Sequence, residues 1–238
     1  MGECARRRCA VRAATPILPG VGLSHLTPRS PMNLALFASG GGSNAQAILD
    51  AIGAGRLPAT AQLLVADRPG IGALEKAERA GVPGVVVPPG DYDTPDAFGA
   101  ALLDALHRHG VDFVALAGYL RHVPPAVVGA FRHRMLNVHP SLLPAFGGAG
   151  YYGMRVHRAA LEAGVRWSGC TVHLVDEHYD TGPIVLQEPV PVEPGDTPEL
   201  LQRRVLAAEH RLFPEALRLF ATGQVRVDGR RVRILPAA

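Results

Sequence analysis

The segment Asn137-Val138-His139-Pro140 holds the residues best suited to chemistry. Asn137 and His139 are two positions apart, so in a β-strand their side chains point to the same face, whereas Val138 points to the other. Pro140 ends strand pairing, which puts both polar groups near the carboxyl end of the strand, where open α/β sheets bind ligands. An amide beside an imidazole suits acyl transfer, because the amide can stabilise an oxyanion while the imidazole moves a proton. The alternative is a structural histidine next to a turn asparagine.

A second candidate is the acidic turn 176–183, which contains three acids and a histidine. Such clusters are usually solvated loops. A carboxylate from this turn that faced His139 would favour the protonated imidazole and raise its pKa. A metal site built from His173, His178 and Asp180 is conceivable, but the spacing matches no standard zinc pattern. We therefore expect no metal.

The third candidate is the glycine-rich segment 39–44, which follows a short apolar run at 34–38. Glycines after a strand let the backbone approach a ligand closely, and the next helix offers free N–H groups, so the segment suits a phosphate. It matches neither the dinucleotide-binding G-x-G-x-x-G pattern nor the Walker A pattern. The alternative is a tight strand-to-helix turn in which Ser43 caps the helix.

The remaining pattern predicts the elements that hold these segments. Strands and helices alternate from Met32 to Gly118, which predicts an α/β fold with a Rossmann-like, mostly parallel central sheet. The pattern of the last third predicts an antiparallel part of the sheet and a long helix. Pro214 is expected to kink or divide that helix, and Asp228-Gly229 predicts a hairpin turn. Pro189 suggests an edge strand or a bulge. The expected strands are 34–38, 62–66, 84–87, 113–117, 170–175 and 184–190, and the expected helices are 45–54, 72–80, 96–109 and 197–222.

The composition argues against several classes of protein function. The chain has 238 residues and a net charge of +3, but residues 1–31 alone carry +4 and the rest carries −1. The basic character therefore belongs to the N-terminal segment, and we expect no nucleic-acid partner. No apolar run approaches the roughly 20 residues that span a bilayer, so we expect no membrane insertion. Three cysteines favour an intracellular, cytoplasmic protein over a disulfide-rich secreted one.

Residues 1–31 show no helix or strand period. Their Arg-rich composition could indicate a targeting segment, but four prolines break any long amphipathic helix. We interpret 1–31 as a disordered or spurious extension, with Met32 as the natural start. Residues 32–238 are then expected to form one domain.

Together these motifs resemble the phosphoribosylglycinamide formyltransferases, the folate-dependent enzymes of purine synthesis. The resemblance runs from Met32 to Leu235 and implies a formyltransferase domain. It implies 10-formyltetrahydrofolate as cosubstrate, glycinamide ribonucleotide as acceptor, and neither a metal nor a covalent enzyme intermediate. The segments that carry it are 39–44, 116–121, 137–144 and 176–183.

The resemblance also implies a role for individual positions. Asn137 would stabilise the oxyanion, His139 would be the general acid for the folate N10, and Asp180 would keep His139 protonated and organise a water. The residues implied at the phosphate and glycinamide ends are Gly42, Ser43, Asn44, Leu206, Ala207, Ala208 and Glu209. The residues implied in the formyl-folate pocket are Leu120, Arg121, His122, Val123 and Asp176. Two positions depart from the family pattern: Pro95 stands where a folate-site Arg is frequent, and Ala149 where Lys is common.

Other functions stay open at this stage. A formyltetrahydrofolate hydrolase resembles the same region but usually carries an N-terminal regulatory domain, and methionyl-tRNA formyltransferase adds a C-terminal domain. A sugar-nucleotide formyltransferase would need a different acceptor pocket. Two alternatives are not enzymes. The chain could be a non-catalytic nucleotide-binding protein, or the Arg-rich segment 1–31 could bind RNA. The oligomeric state is expected to be monomer or homodimer.

Overall fold

The computed structural model describes residues 31–237. The prediction for residues 1–31 therefore lies outside the described residues, apart from Pro31. The strands are β1 Met32–Ala38, β2 Ala59–Ala66, β3 Gly84–Val86, β4 Phe113–Leu116, β5 Met135–His139, β6 Trp167–Leu174, β7 Ile184–Pro191, β8 Val225–Asp228 and β9 Arg231–Ile234. The helices are α1 Ser43–Gly53, α2 Gly72–Arg79, α3 Pro95–Arg108, α4 Pro125–Ala130, α5 Met154–Glu162 and α6 Pro198–Ala221.

The first seven strands form one sheet in the order β3-β2-β1-β4-β5-β6-β7. The strands β1 to β5 run parallel to one another, whereas β6 and β7 are antiparallel to their neighbours. This arrangement confirms the prediction of a mostly parallel α/β sheet with an antiparallel C-terminal part. The strand order reverses between β1 and β4, the kind of switch point where parallel sheets bind ligands.

Alternating side chains of the central strands build a core on each face of the sheet. Leu34 and Leu36 pack on one face with residues of α1, α2, α5 and α6. Ala35 and Phe37 pack on the other face with residues of α3 and α4. Strands buried on both faces need continuous apolar runs, which is the pattern that predicted β1 and β4.

The elements depart from the predictions in three places. The sequence pattern gave no helix at α4 or α5, because α4 is very short and α5 buries only Val156, His157 and Ala160. Pro214 does not divide α6, which runs from Pro198 to Ala221 with buried residues on both sides of the proline and contacts β6 and β7. Two other predictions are confirmed: β7 is the edge strand that Pro189 predicts, and β8 and β9 form the predicted hairpin.

Within residues 31–237, no helix combines the length and the apolar character that a membrane crossing requires.

Candidate active site

A cavity of about 380 Å³ opens at the carboxyl ends of β4 and β5. Its wall comes from the segments that follow those two strands, from the loop between β6 and β7, and from α6. Asn44, at the start of α1, also lines the cavity. Parallel strands aim their following loops at the same edge of a sheet, which is why distant segments meet here.

Asn137 and His139 both line this cavity. They belong to β5 and lie two residues apart, so they share a face, while the intervening strand positions pack into apolar surroundings. His139 is almost completely buried. The strand alternation that the sequence predicts therefore brings the amide and the imidazole together.

His139 is held from both sides of its ring. Its Nε2 lies 2.8 Å from the carbonyl oxygen of Phe146, and its Nδ1 lies 3.4 Å from Oδ2 of Asp180. Burial lowers the pKa of His139, and the charge of Asp180 and the Phe146 carbonyl oppose this without reversing it. Asp180 therefore raises this pKa, as the sequence predicts, but it does not keep the resting ring protonated, because the loss of hydration is the larger effect.

Asp180 stays ionised at neutral pH. Burial favours its neutral form, but the neighbouring His173 ring, the charge of His139 and the N–H of Gly148 outweigh it, so the pKa of Asp180 is lowered. The Gly148 N–H donates to Oδ2 at 2.9 Å. A fixed carboxylate next to a buried imidazole is an arrangement that can take up and release a proton.

Asn137 contacts both Asp180 and His173. Its Nδ2 lies 3.1 Å from Nε2 of His173 and 3.5 Å from Oδ1 of Asp180. His173 stands directly opposite Asn137 in the antiparallel pair of β5 and β6. The spacing of the motifs does not give this partner, because cross-strand contacts depend on the register of two strands distant in sequence.

The glycine-rich segment turns sharply into α1. Gly42 has φ of 70°, and a Cβ there would lie 2.6 Å from Cβ of Ala73, so only glycine fits. Gly42 is the residue that precedes the helix and Ser43 is its first residue, so the alternative in which Ser43 caps the helix is wrong. The first-turn N–H groups of a helix have no partners within the helix and suit an anion. The Lys76 ammonium lies beside this segment and donates to the Gly41 carbonyl at 2.7 Å.

The implied acceptor-end residues are only partly at the cavity. Asn44, Leu206 and Glu209 line it, whereas Gly42, Ser43, Ala207 and Ala208 do not. The Asn44 Nδ2 donates to Oε2 of Glu209 at 2.6 Å. Burial raises the pKa of Glu209 to about 7, although the Asn44 hydrogen bond opposes the shift. The Asn44 Oδ1 is buried and has no hydrogen-bond partner among the described residues.

The implied folate-side residues all line the cavity: Leu120, Arg121, His122, Val123 and Asp176. The Arg121 Nε donates to Oδ2 of the buried Asp67 at 2.6 Å, which fixes the guanidinium at the rim.

Three exposed aromatic side chains, Tyr151, Tyr152 and Tyr179, add flat apolar surface to the cavity wall. No sequence pattern points to these tyrosines, because exposed aromatics in loops carry no spacing signal. Of the two departures from the family pattern, Ala149 lines the cavity and Pro95 begins α3 away from it.

Comparisons with known proteins give one consistent result. Residues 32–217 match the family described as Formyl transferase. The chloroplastic phosphoribosylglycinamide formyltransferase of Arabidopsis thaliana is 44% identical over 220 residues, covering 88% of this chain and 75% of that protein.

Solved structures agree with this result. Glycinamide ribonucleotide transformylase 1 from Symbiobacterium toebii is 48% identical with a TM-score of 0.83, covering 87% of this chain and 96% of that one. Phosphoribosylglycinamide formyltransferase from Bacillus halodurans is 41% identical with a TM-score of 0.74, covering 78% and 93%. The chain therefore belongs to the formyl transferase family and, within it, to the phosphoribosylglycinamide formyltransferases.

Proposed function

We propose that this protein transfers the formyl group of 10-formyltetrahydrofolate to the amine of glycinamide ribonucleotide in de novo purine biosynthesis. The observation that carries the proposal is the convergence of Asn137, His139 and Asp180 in one cavity that the hydrogen-bonded pair Asn44 and Glu209 also lines. Both substrates then meet at the carboxyl end of β5.

Asn137 stabilises the developing charge in this reaction. The amine nitrogen attacks the formyl carbon, a C–N bond forms, and the formyl oxygen becomes an oxyanion. The Asn137 Nδ2, which lies at the cavity wall, donates a hydrogen bond to that oxygen. Such preorganised donors are typically the largest single contribution to acyl-transfer catalysis.

His139 and Asp180 move the proton. Since burial lowers the pKa of His139, the resting imidazole is neutral at neutral pH, and the adjacent carboxylate stabilises the imidazolium once it forms. The pair takes the amine proton, through a water held by Asp180. The imidazolium then gives a proton to N10 as the bond between N10 and the formyl carbon breaks.

The two substrates occupy opposite ends of the cavity. The phosphate of the ribonucleotide extends beyond the cavity wall to the first-turn N–H groups that follow Gly42, together with Ser43 and Asn44. Its glycinamide end contacts Glu209 and neighbouring residues of α6. The formyl-folate lies against Leu120, Arg121, His122, Val123 and Asp176, with the exposed tyrosines as stacking surfaces. Neither a metal nor a covalent enzyme intermediate enters this scheme.

A hydrolase uses water as acceptor and has no need of the Asn44–Glu209 pair or of the anion-binding turn before α1. That contrast favours transfer over hydrolysis. We also propose a cytoplasmic location, which stays a prediction from cysteine usage.

The test is release of tetrahydrofolate from 10-formyltetrahydrofolate, followed by absorbance with and without glycinamide ribonucleotide. We expect release only when the ribonucleotide is present. Equal release without it would replace the proposal with hydrolysis, and binding of both compounds without any release would leave a non-catalytic binding protein.

A further inference from the structure

His173 is a buried histidine beside the catalytic amide that the proposed mechanism does not use. It lies on β6 with its side chain only 3% exposed, and it faces Asn137 across the antiparallel pair. Directly opposed residues of such a pair share a face and have side chains close enough to interact. Its ring therefore acts on Asn137 or has only a packing role.

The proton on the His173 ring has a defined position. The Nδ1 lies 2.9 Å from the carbonyl oxygen of Leu174, which can only accept a hydrogen bond, so Nδ1 carries the hydrogen. The pairing of β6 with β7 shifts register between Val172 and His173, and such irregularities re-aim side chains and carbonyls. The other nitrogen, Nε2, lies 3.1 Å from the Asn137 Nδ2 and 3.5 Å from Oδ1 of Asp180. Because the shorter contact is to an N–H donor and the carboxylate is too far for a charge-assisted hydrogen bond, we assign Nε2 a lone pair.

This lone pair fixes which way the Asn137 amide points. The Nε2 of His173 lies 3.1 Å from the Asn137 Nδ2 and accepts one of its hydrogens. Oδ1 of Asp180 lies 3.5 Å from the same Nδ2. If the amide were rotated by 180°, its oxygen would face a lone pair and a carboxylate, so both neighbours reject that orientation.

We propose that His173 is a positioning residue that keeps the Asn137 N–H₂ group turned towards the formyl oxygen. One N–H is bound by His173, and the other, which makes only the long contact to Asp180, is free to donate to the oxyanion. The inference rests on the proposed function for the oxyanion, whereas the tautomer of His173 is independent of it.

The kinetic test separates positioning from packing. The variants are His173→Ala, His173→Gln, Asn137→Ala and the double variant, with kcat and both KM values measured. His109→Gln is the matched control, because its ring also bonds a backbone carbonyl, that of Ala105 at 2.8 Å, but it directly follows α3 and does not line the cavity.

We expect His173→Ala to lower kcat about 10- to 100-fold with little change in either KM, as supporting residues of a catalytic group typically do. His173→Gln, whose side-chain oxygen can still accept, should recover part of the loss. The double variant should be no slower than Asn137→Ala, because His173 acts only through that amide. Two losses that multiply, or a glutamine variant as slow as the alanine variant, would overturn the proposal.

A second readout does not depend on activity. The ring ¹⁵N shifts of His173, assigned by their absence in His173→Gln, should report a hydrogen on Nδ1 and a bare Nε2. A hydrogen on Nε2 would overturn the proposal even in an active enzyme. If the wild-type protein transfers no formyl group but shows the Nδ1 tautomer, the proposed function fails and the positioning of Asn137 stands.

Discussion

At the residue scale, His139 is where two physical effects oppose each other. Burial removes water from the imidazolium and lowers the pKa, while Asp180 and the Phe146 carbonyl favour the charged ring. A ring whose two nitrogens both face oxygens gains its full set of hydrogen bonds only when protonated. The same ring can therefore accept a proton early in the reaction and lose it again later.

Replacing Asp180 with asparagine removes the charge that opposes burial. The pKa of His139 should fall further, so the acidic limb of the profile of kcat/KM against pH, where the neutral ring is lost, moves to lower pH. The turnover should also drop, because the imidazolium intermediate loses its partner. Asp104→Asn, on the exposed face of α3, is the control. An unchanged acidic limb would remove Asp180 from this role.

Truncating Asn137 to alanine should lower kcat by roughly 10²–10³-fold, the typical loss for a single oxyanion donor. Steady-state kinetics with saturating substrates measure it. Asn33→Ala is a matched control, since Asn33 lies near the start of β1 and bonds Gln62 at 2.9 Å. Turnover near that of the wild type would mean that another group stabilises the oxyanion.

The sequence predicts some of these residues and not others. Asn137 and His139 follow from a strand period of two and from the proline that ends the strand. His173 and the Phe146 carbonyl do not follow, because their contacts depend on the register of β6 and on a loop conformation. The net direction of the His139 pKa also needs the burial that only the folded structure supplies.

At the scale of elements, the turn before α1 depends on one glycine. Gly42→Ala puts a side chain at positive φ and against Ala73, which should destabilise the protein by about 1–3 kcal/mol and raise KM for the ribonucleotide. Thermal unfolding and kinetics measure both effects. At Gly41 a Cβ meets nothing within 4 Å, so Gly41→Ala is the control and should leave stability within about 0.5 kcal/mol. Equal effects of the two substitutions would contradict this account of the turn.

Helices with a regular period of apolar residues were predictable from the sequence, and those that depend on tertiary packing were not. The long α6 has a sustained apolar stripe with Thr197 before it, and the Thr197 hydroxyl accepts the N–H of Leu200. α4 has only six residues, so no helical period develops, and it packs against α3. α6 also continues through Pro214, because burial against the sheet offsets the local cost of the proline.

At the scale of the whole molecule, Glu209 links folding to pH. Its pKa is about 7 in the folded protein against an ordinary 4.5, so the folded state binds the proton more tightly. Stability from this group is present at low pH and is lost as pH rises from about 4.5 to about 7, by roughly 3 kcal/mol. Glu209→Gln should therefore have a flatter dependence of unfolding free energy on pH than the wild type. Urea titrations at pH 5 and pH 8 measure it, and parallel dependences would contradict the buried carboxyl.

The overall architecture was the most predictable level. Alternating strands and helices, followed by two strands joined by a short polar turn, predicted the mixed sheet. The strand order and the meeting of Asn44 with segments 120–123, 137–139 and 176–180 at one edge are properties of the folded sheet. The resemblance of the motifs, rather than their spacing, connected them with one reaction.

The most direct test follows the formyl carbon itself. The enzyme is mixed with glycinamide ribonucleotide and 10-formyltetrahydrofolate labelled with ¹³C in the formyl group, and the products are resolved by NMR and mass spectrometry. The account predicts that the label appears in the amide of formylated ribonucleotide at a rate matching tetrahydrofolate release. Label recovered as formate, with the ribonucleotide unchanged, would contradict it.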